Sequence, residues 1–488
     1  MINKIFFLSL ILLFTACSHA PVSLDQERNE GAPIFPDYAD CTIPSNIAPL
    51  NFQLTVPYEE ACIVFTDKDE SWEVIARKGQ FTIPASRWKK MLLKNKGDKV
   101  SVKTMAKIEG KWVGYLPFTF RIAPDPIDPY IAYRLIEPGY ELWNKMGIYQ
   151  RNLESYKETA IMENKLSEGN CMNCHSFRMQ QPDKMVFHMR GKIGCTILID
   201  GEKIEKLNTQ TNYTISSLVY PYWHPEGRYI AFSVNDTKQA FHMNHSNRVE
   251  VFDHKSDVVV YDTEKHDIIT SPLLFSKKSF ETFPTFSPDG KTLYFCSADS
   301  CHLPEDFEEV KYSLCAISFD AENRRFGTTV DTLYNAPLQG RSVSFPRISP
   351  DGKYLLYTLA DYGNFSIWHK DADLYMINLS TGAHYPLEAA NSPDVESYHS
   401  WSSNSRWVVF SSRRIDGLYT RPYMTYINAE GQAEKPFLLP QKEVDFYHRF
   451  MKSYNIPEFI VGKVKDQRFE IGQKAKKEKG RTVTFMGK

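Results

Sequence analysis

The sequence predicts an all-β protein in which a propeller of radially stacked four-stranded sheets follows a small β-sandwich. The leading observation is an internal repeat. Tyr220-Pro-Tyr-Trp-His-Pro-Glu-Gly, Phe283-Pro-Thr-Phe-Ser-Pro-Asp-Gly, Phe345-Pro-Arg-Ile-Ser-Pro-Asp-Gly and Tyr398-His-Ser-Trp-Ser-Ser-Asn-Ser share one chemistry, with spacings of 63, 62 and 53 residues between His224, Ser287, Ser349 and Ser402. In each copy an aromatic residue enters the core, a Pro-Asp-Gly type of turn reverses the chain, and an apolar strand follows. Further along, segments such as 257–262 and 373–378 supply a second strand pair. Composition agrees: 14% of residues are aromatic and 28 Pro exceed 24 Gly, as suits many short strands joined by turns. Five units are visible, counting a degenerate first copy described below, and other segments would complete a sixth.

Taken in order, the chain opens Met-Ile-Asn-Lys and is then mostly apolar over residues 5–14, ending Thr15-Ala16-Cys17. One Lys, a short apolar run and small residues predict a secretory signal peptide over 1–16, too short to cross a bilayer. Leu13-Phe-Thr-Ala-Cys17 resembles a bacterial lipobox, which implies lipid on Cys17, attachment to a membrane and a place in the cell envelope. Residues 17–44 are polar, contain Pro and lack periodicity, and read as a tether.

Residues 45–124 carry alternating or continuous apolar runs at 51–56, 61–65, 99–103 and 113–122, which predict a small antiparallel sandwich without catalytic features. Residues 125–170 begin with a Pro-rich junction. Leu142, Trp143, Met146, Tyr149 and Leu153 then recur at helical spacing, and a second helical stretch is expected over 156–165. Tyr133, Tyr140, Trp143, Met146 and Tyr149 could cover a flat prosthetic group or simply form helix core. The propeller spans 171–440. The extension 441–488 contains a possible short helix at 445–451, a last strand at 459–464 and a Lys/Gly-rich basic tail, expected to be solvated.

The chemistry-bearing stretch is Cys171-Met-Asn-Cys174-His175, a C-x-x-C-H pattern. Two thiols so spaced can each add to a vinyl group of one porphyrin, and the adjoining imidazole can reach the iron; one covalent haem c is expected. The bland alternatives are a disulfide, a redox dithiol or half a zinc site. His175 is the expected axial ligand and His188 the possible sixth, with His224, His242, His245 and Met146 behind it. Arg190 suits a haem propionate. The motif lies where a degenerate first blade belongs, because Pro182-Asp-Lys-Met-Val-Phe-His188 imitates turn and strand. Of the other cysteines, Cys41, Cys62, Cys195, Cys296, Cys301 and Cys315 could pair, and Cys296–Cys301 is the expected local bridge.

The repeat, with its F-S-P-D-G signature, resembles the blades of TolB-type, WD-like propellers. With the sandwich, the Y-R-L-I-x-P-G-Y segment and N-C-x-x-C-H-S, the mature chain resembles TolB-like propeller lipoproteins of Bacteroidetes, often labelled cytochrome c biogenesis-type. Propeller plus C-x-x-C-H is also similar in architecture to the hydrazine synthase alpha subunit. The resemblance implies an envelope-anchored monohaem protein passing electrons among protein partners. The alternatives are a non-enzymatic binding propeller for a peptide or glycan, and a haem enzyme acting on a small molecule. A formal net charge of −1 gives no reason to expect nucleic acid. No nucleophile-elbow sequence marks a hydrolase.

Overall fold

The computed structural model describes residues 23–137, 144–243 and 245–486. The signal sequence and Cys17, and Tyr140, Leu142 and Trp143 of the expected helix, lie outside the described residues.

The N-terminal domain is built on one sheet with spatial order Gln26–Gly31, Lys111–Leu116, Lys99–Ile108, Glu60–Thr66, Ser71–Ile75, onto which Phe118–Ile122 and Thr42–Ile43 are added. Pro117 splits the apolar run 113–122 into two strands because it has no N–H to give a ladder. Two features depart from the sequence reading. Residues 26–43 are not a free tether: Gln26–Gly31 pairs in parallel with Lys111–Leu116. A helix, Ala85–Lys94, starts after Pro84 and buries Trp88, Met91 and Leu92 against the sheet.

Six blades follow. Blades I to V are consecutive, at 171–208, 218–269, 279–334, 342–386 and 396–438. Blade VI is composite. Its innermost strand is Ser453–Ile460, and its three outer strands, Tyr130–Ile136, Gly147–Asn152 and Glu158–Glu163, precede blade I in the chain. Within the described part of the expected helices, Gly147–Asn152 and Glu158–Glu163 are therefore corrected to strands. Ile131 to Leu135 find ladder partners on both sides, and tertiary pairing outweighs a fortuitous 3.6-residue spacing.

The C-terminal tail is docked rather than free. The helix Arg468–Lys477 sets Ile471 and Ala475 into the core shared by blades VI and I. Arg481–Thr482 and Thr484–Phe485 then add parallel edge strands to blades I and II, covering edges that would otherwise be open to pairing.

Sandwich and propeller share one core. Phe52, Trp88 and Phe120 of the first domain join Trp407, Met424 and Phe437 of blade V and Tyr133 and Tyr454 of blade VI in a single cluster. The Trp407 indole is wholly buried and donates to the carbonyl of Asp125, at 3.2 Å. Trp407→Ala is expected to cost about 3–5 kcal/mol. Because the cluster is continuous, both domains should lose stability together in urea, read by far-ultraviolet circular dichroism and tryptophan fluorescence.

Candidate functional site: the two ends of a divided channel

The innermost strands of the blades line a central channel, and each carries a β-bulge at one matching position. There, Cys174, Tyr220, Phe283, Phe345, Tyr398 and Ile456 adopt φ between 46° and 54°, a left-handed conformation that costs a side-chain-bearing residue free energy. Tyr220, Phe283, Phe345 and Tyr398 meet in series, with ring centroids 4.7, 4.2 and 4.7 Å apart. Together the six residues form a diaphragm across the channel. Beyond it, Ser176–Phe177, Tyr222–Trp223, Thr285–Phe286, Arg347–Ile348, Ser400–Trp401 and Glu458–Phe459 occupy equivalent places.

At the end before the bulges lies a cationic funnel of about 330 Å³, lined in part by Arg134, Asn173, Arg190, Lys238, Trp368 and Arg413. Its arginines are held by neutral groups. Arg134 donates to Asn173 Oδ1 and, at 3.4 Å, to the carbonyl of Met172, while its Nε has no partner. Arg413 donates to the carbonyls of Ile367 and Leu418 and stacks over Trp368 at 3.6 Å. Burial lowers the pKa of Arg413 to about 9, against the pull of Asp394 and Asp416. Among the described residues Glu137 is the one carboxylate lining the funnel, and its Oε2 is buried without a partner there.

One wall is the long hairpin Tyr229–Phe241 and Val249–Asp262 of blade II. Its outer half reaches blade IV, where Glu250 accepts from Tyr362 Oη at 2.6 Å and lies 3.1 Å from His369 Nε2. Asp253, with its pKa raised by burial, accepts from Asn235 at 2.7 Å, Thr237 at 2.6 Å and Asn364 at 2.6 Å. This network fixes the hairpin, and so the position of Lys238.

At the other end is a smaller chamber of about 70 Å³, bordered by His175, Tyr222, Arg347, His399 and Glu458 and opening past Pro225, Pro288 and Pro350 of the repeated turns. His175 is enclosed, and neither ring nitrogen has a hydrogen-bond partner. Burial lowers its pKa to about 3, and the Arg134 charge acts in the same direction. Glu458 accepts from the backbone N–H of Phe177 at 3.0 Å and its Oε2 lies 4.0 Å from His175 Nε2. Burial raises its pKa to about 8, opposed by that hydrogen bond and by Arg347.

The C-x-x-C-H residues divide between these two ends. Cys171 and Cys174 are free, buried thiols. Desolvation raises both pKa values, opposed by Arg134 and Arg190 of the funnel. Cys174 turns to the backbone of Tyr220 in blade II, whereas His175 lines the chamber against Glu458 of blade VI. A covalent haem would fit the donor chemistry, two free thiols and an unpartnered imidazole. It does not fit the arrangement, because the thiols and the ring approach different blades and the space beside His175 is far below porphyrin size. Cys174-His175 also occupies the position of Tyr398-His399 in blade V, where His399 lies 3.2 Å from the carbonyl of Leu356 and has no cysteine beside it.

His188 is not a sixth ligand in this arrangement. It stands opposite Asn173 in the ladder, on the face away from Met172, with Nδ1 3.1 Å from Thr196 Oγ1. His224 Nε2 lies 3.1 Å from the carbonyl of Gly290, and His245 lies near Glu308. Among the described residues no three His, Cys, Asp or Glu are grouped to hold a metal ion. Arg190 does face the funnel, as an anion-binding role requires, and makes no side-chain hydrogen bond or ion pair among the described residues. The expected Cys296–Cys301 bridge is absent: Cys296 is buried in a strand, and the Cys301 thiol points to the carbonyl of Asp306. Cys41, Cys62, Cys195 and Cys315 are also free.

Arg134, Lys238, Arg347, Arg413 and Glu458 were not legible as site residues. A usable signal existed for the last: Ile456-Pro-Glu-Phe459 has the pattern of Phe283-Pro-Thr-Phe286 and marks a sixth inner strand.

No family model and no curated protein matches the chain. Among solved structures, a prolyl oligopeptidase B from Galerina marginata aligns at 11% identity and TM-score 0.36, over 61% of this chain and 41% of the peptidase. The chain thus spans about two fifths of that enzyme's length. A DUF4784 family protein from Bacteroides caccae aligns at 8% identity and TM-score 0.26, over 73% and 95% of the two chains.

The raised pKa of Glu458 makes a signed prediction. A carboxyl near 8 when folded, against an ordinary 4.5, gives stability that is whole below pH 4.5 and is lost as pH rises through 8. Glu458→Gln should match the parent at pH 4 and exceed it at pH 9 in urea melts. An unchanged difference between the two pH values would contradict the assignment.

Proposed function

We propose that the chain is a ligand-binding propeller whose funnel takes an anionic ligand. The observation that supports this best is the unneutralised charge there. Among the described residues Arg134, Arg190, Lys238 and Arg413 line one concave space with Glu137 as its lining carboxylate, and only Lys238 has an acid in reach, Asp236 at 3.7 Å. Among the described residues Arg190 makes no side-chain hydrogen bond or ion pair, and Arg134 and Arg413 bond to neutral oxygens. A desolvated guanidinium with open donors is poised for bidentate contact with a carboxylate or phosphate. Hairpin and blade IV are locked by buried hydrogen bonds, so the ligand meets a preformed wall and little ordering cost.

Citrate and pyrophosphate, titrated calorimetrically into the full chain, are suitable probes. Arg190→Gln is expected to weaken the tighter of the two by about 10- to 100-fold, the range for a lost hydrogen bond to a charged group, with parental affinity falling as salt rises. Retained affinity in the variant would exclude the funnel as the site.

A second reading, a monohaem c-type protein of the cell envelope tethered through lipid on Cys17, draws on the two free thiols and the unpartnered imidazole of His175. It requires residues 171–177 to leave the ladder described above. On this reading, expression with the haem-attachment machinery yields a chain that retains haem stain after denaturing electrophoresis, and Cys171→Ser/Cys174→Ser loses it. Absence of stain from the parent chain rejects this reading and leaves the funnel proposal untouched.

A further inference from the structure

The chamber at the turn-bearing end contains hydrogen-bonding capacity that the fold does not use. Both nitrogens of His175 lack partners although the residue is only 3% exposed. The guanidinium of Arg347, with its ring neighbour Tyr222 at 5.2 Å, donates to one backbone carbonyl, that of Pro346, at 2.8 Å. Glu458 spends one oxygen on Phe177, and its other oxygen stops 4.0 Å from His175 Nε2, too far for a direct hydrogen bond.

Buried polar groups are ordinarily satisfied, and each one left unmet costs about 1–3 kcal/mol. Here several converge on one enclosed space. The equivalent histidine of blade V, His399, has Nε2 3.2 Å from the Leu356 carbonyl, whereas His175 has only the backbone of Ile456 nearby, which acts on its pKa but does not meet hydrogen-bond geometry.

We propose that the chamber is a second ligand site, which holds a small carboxylate, or the carboxylate end of a larger molecule, on Arg347 with His175 as hydrogen-bonding partner. Three features select this class. Arg347 supplies a planar pair of donors that matches a carboxylate. Its nearest acid, Glu458, is largely protonated at neutral pH because burial raises its pKa to about 8, leaving the guanidinium charge to an incoming anion. The volume, about 70 Å³, has room for about five water molecules, enough for a group of a few heavy atoms and too little for a sugar or nucleotide. Entry is past Pro225, Pro288 and Pro350, and the diaphragm separates this site from the funnel, so the inference stands independently of the anion proposed there.

The test uses the full chain and acetate as probe. Crystals grown with and without acetate are compared, and acetate affinity is measured by nuclear magnetic resonance of the ¹³C-labelled anion for the parent, Arg347→Met, His175→Phe and Arg190→Gln. The expected result is a carboxylate on Arg347 in the acetate crystals. Affinity should fall at least 10-fold in Arg347→Met, fall in His175→Phe, and stay at the parental value in Arg190→Gln. Water alone in the chamber of both parental crystals overturns the proposal, even if a chamber variant fails to fold. Loss of affinity in Arg190→Gln with retention in Arg347→Met overturns it too, by placing acetate in the funnel.

Discussion

The constraint on which the rest of the structure depends is a backbone conformation repeated six times. Each inner strand admits one extra residue in the left-handed region, at Cys174, Tyr220, Phe283, Phe345, Tyr398 and Ile456. A bulge of this kind re-aims the side chains on either side of it. Here it sets four aromatic rings in successive contact across the axis, and it sends the residues before and after the bulge to different ends of the channel. Strain of about 1–3 kcal/mol at each position persists because the surrounding ladders over-determine it. The funnel, the chamber and the separation between them all follow from this single device.

That device also explains how a short motif acquires a different meaning in its fold. Read linearly, Cys171 to His175 presents two thiols and an imidazole at the spacing of a haem anchor. In the strand Cys171–Phe177 the bulge falls between the second thiol and the ring, so that Cys174 meets blade II and His175 meets Glu458 of blade VI. Arg190, singled out as a partner for an acidic group, does stand beside the thiols with its donors uncommitted. The chemistry of the residues was readable from order and spacing. Their direction was not, because it depends on a φ angle that a non-glycine residue adopts only under tertiary pressure.

The propeller was legible for a physical reason: its turns need Pro, Asp and Gly at fixed offsets, and four copies in register leave little room for another architecture. Blade VI was hidden because its strands come from two distant segments. The apolar residues around Met146 and Tyr149 satisfy a helical period by chance, and only the pairing of Gly147–Asn152 with Tyr130–Ile136 and Glu158–Glu163, in a sheet completed by Ser453–Ile460, reveals a strand there. The docked tail was hidden for a related reason. Ile471 and Ala475 are a narrow apolar stripe on a lysine-rich segment, and their value comes wholly from the groove between blades VI and I that receives them. Arg347 and Glu458 were hidden within the variable positions of the repeat, where a charged residue reads as solvent-facing until the channel is assembled.

The composite blade has a consequence for biogenesis. Tyr130 pairs with Ile460, and Ile136 with Ser453, so the ring stays unsealed until residues 453–460 have been made. Until then the edge of Tyr130–Ile136 and the inner faces of blades V and I are exposed, a state open to pairing with another nascent chain. A chain made in order from its N-terminus has to keep that edge unoccupied across more than three hundred further residues. Its last forty residues then act as a latch. The inner strand closes the circle, the helix Arg468–Lys477 wedges the seam, and the two short terminal strands cover the outer edges of blades I and II. A chain that stops before Ser453 would be left as an open, adhesive ring in place of a closed propeller.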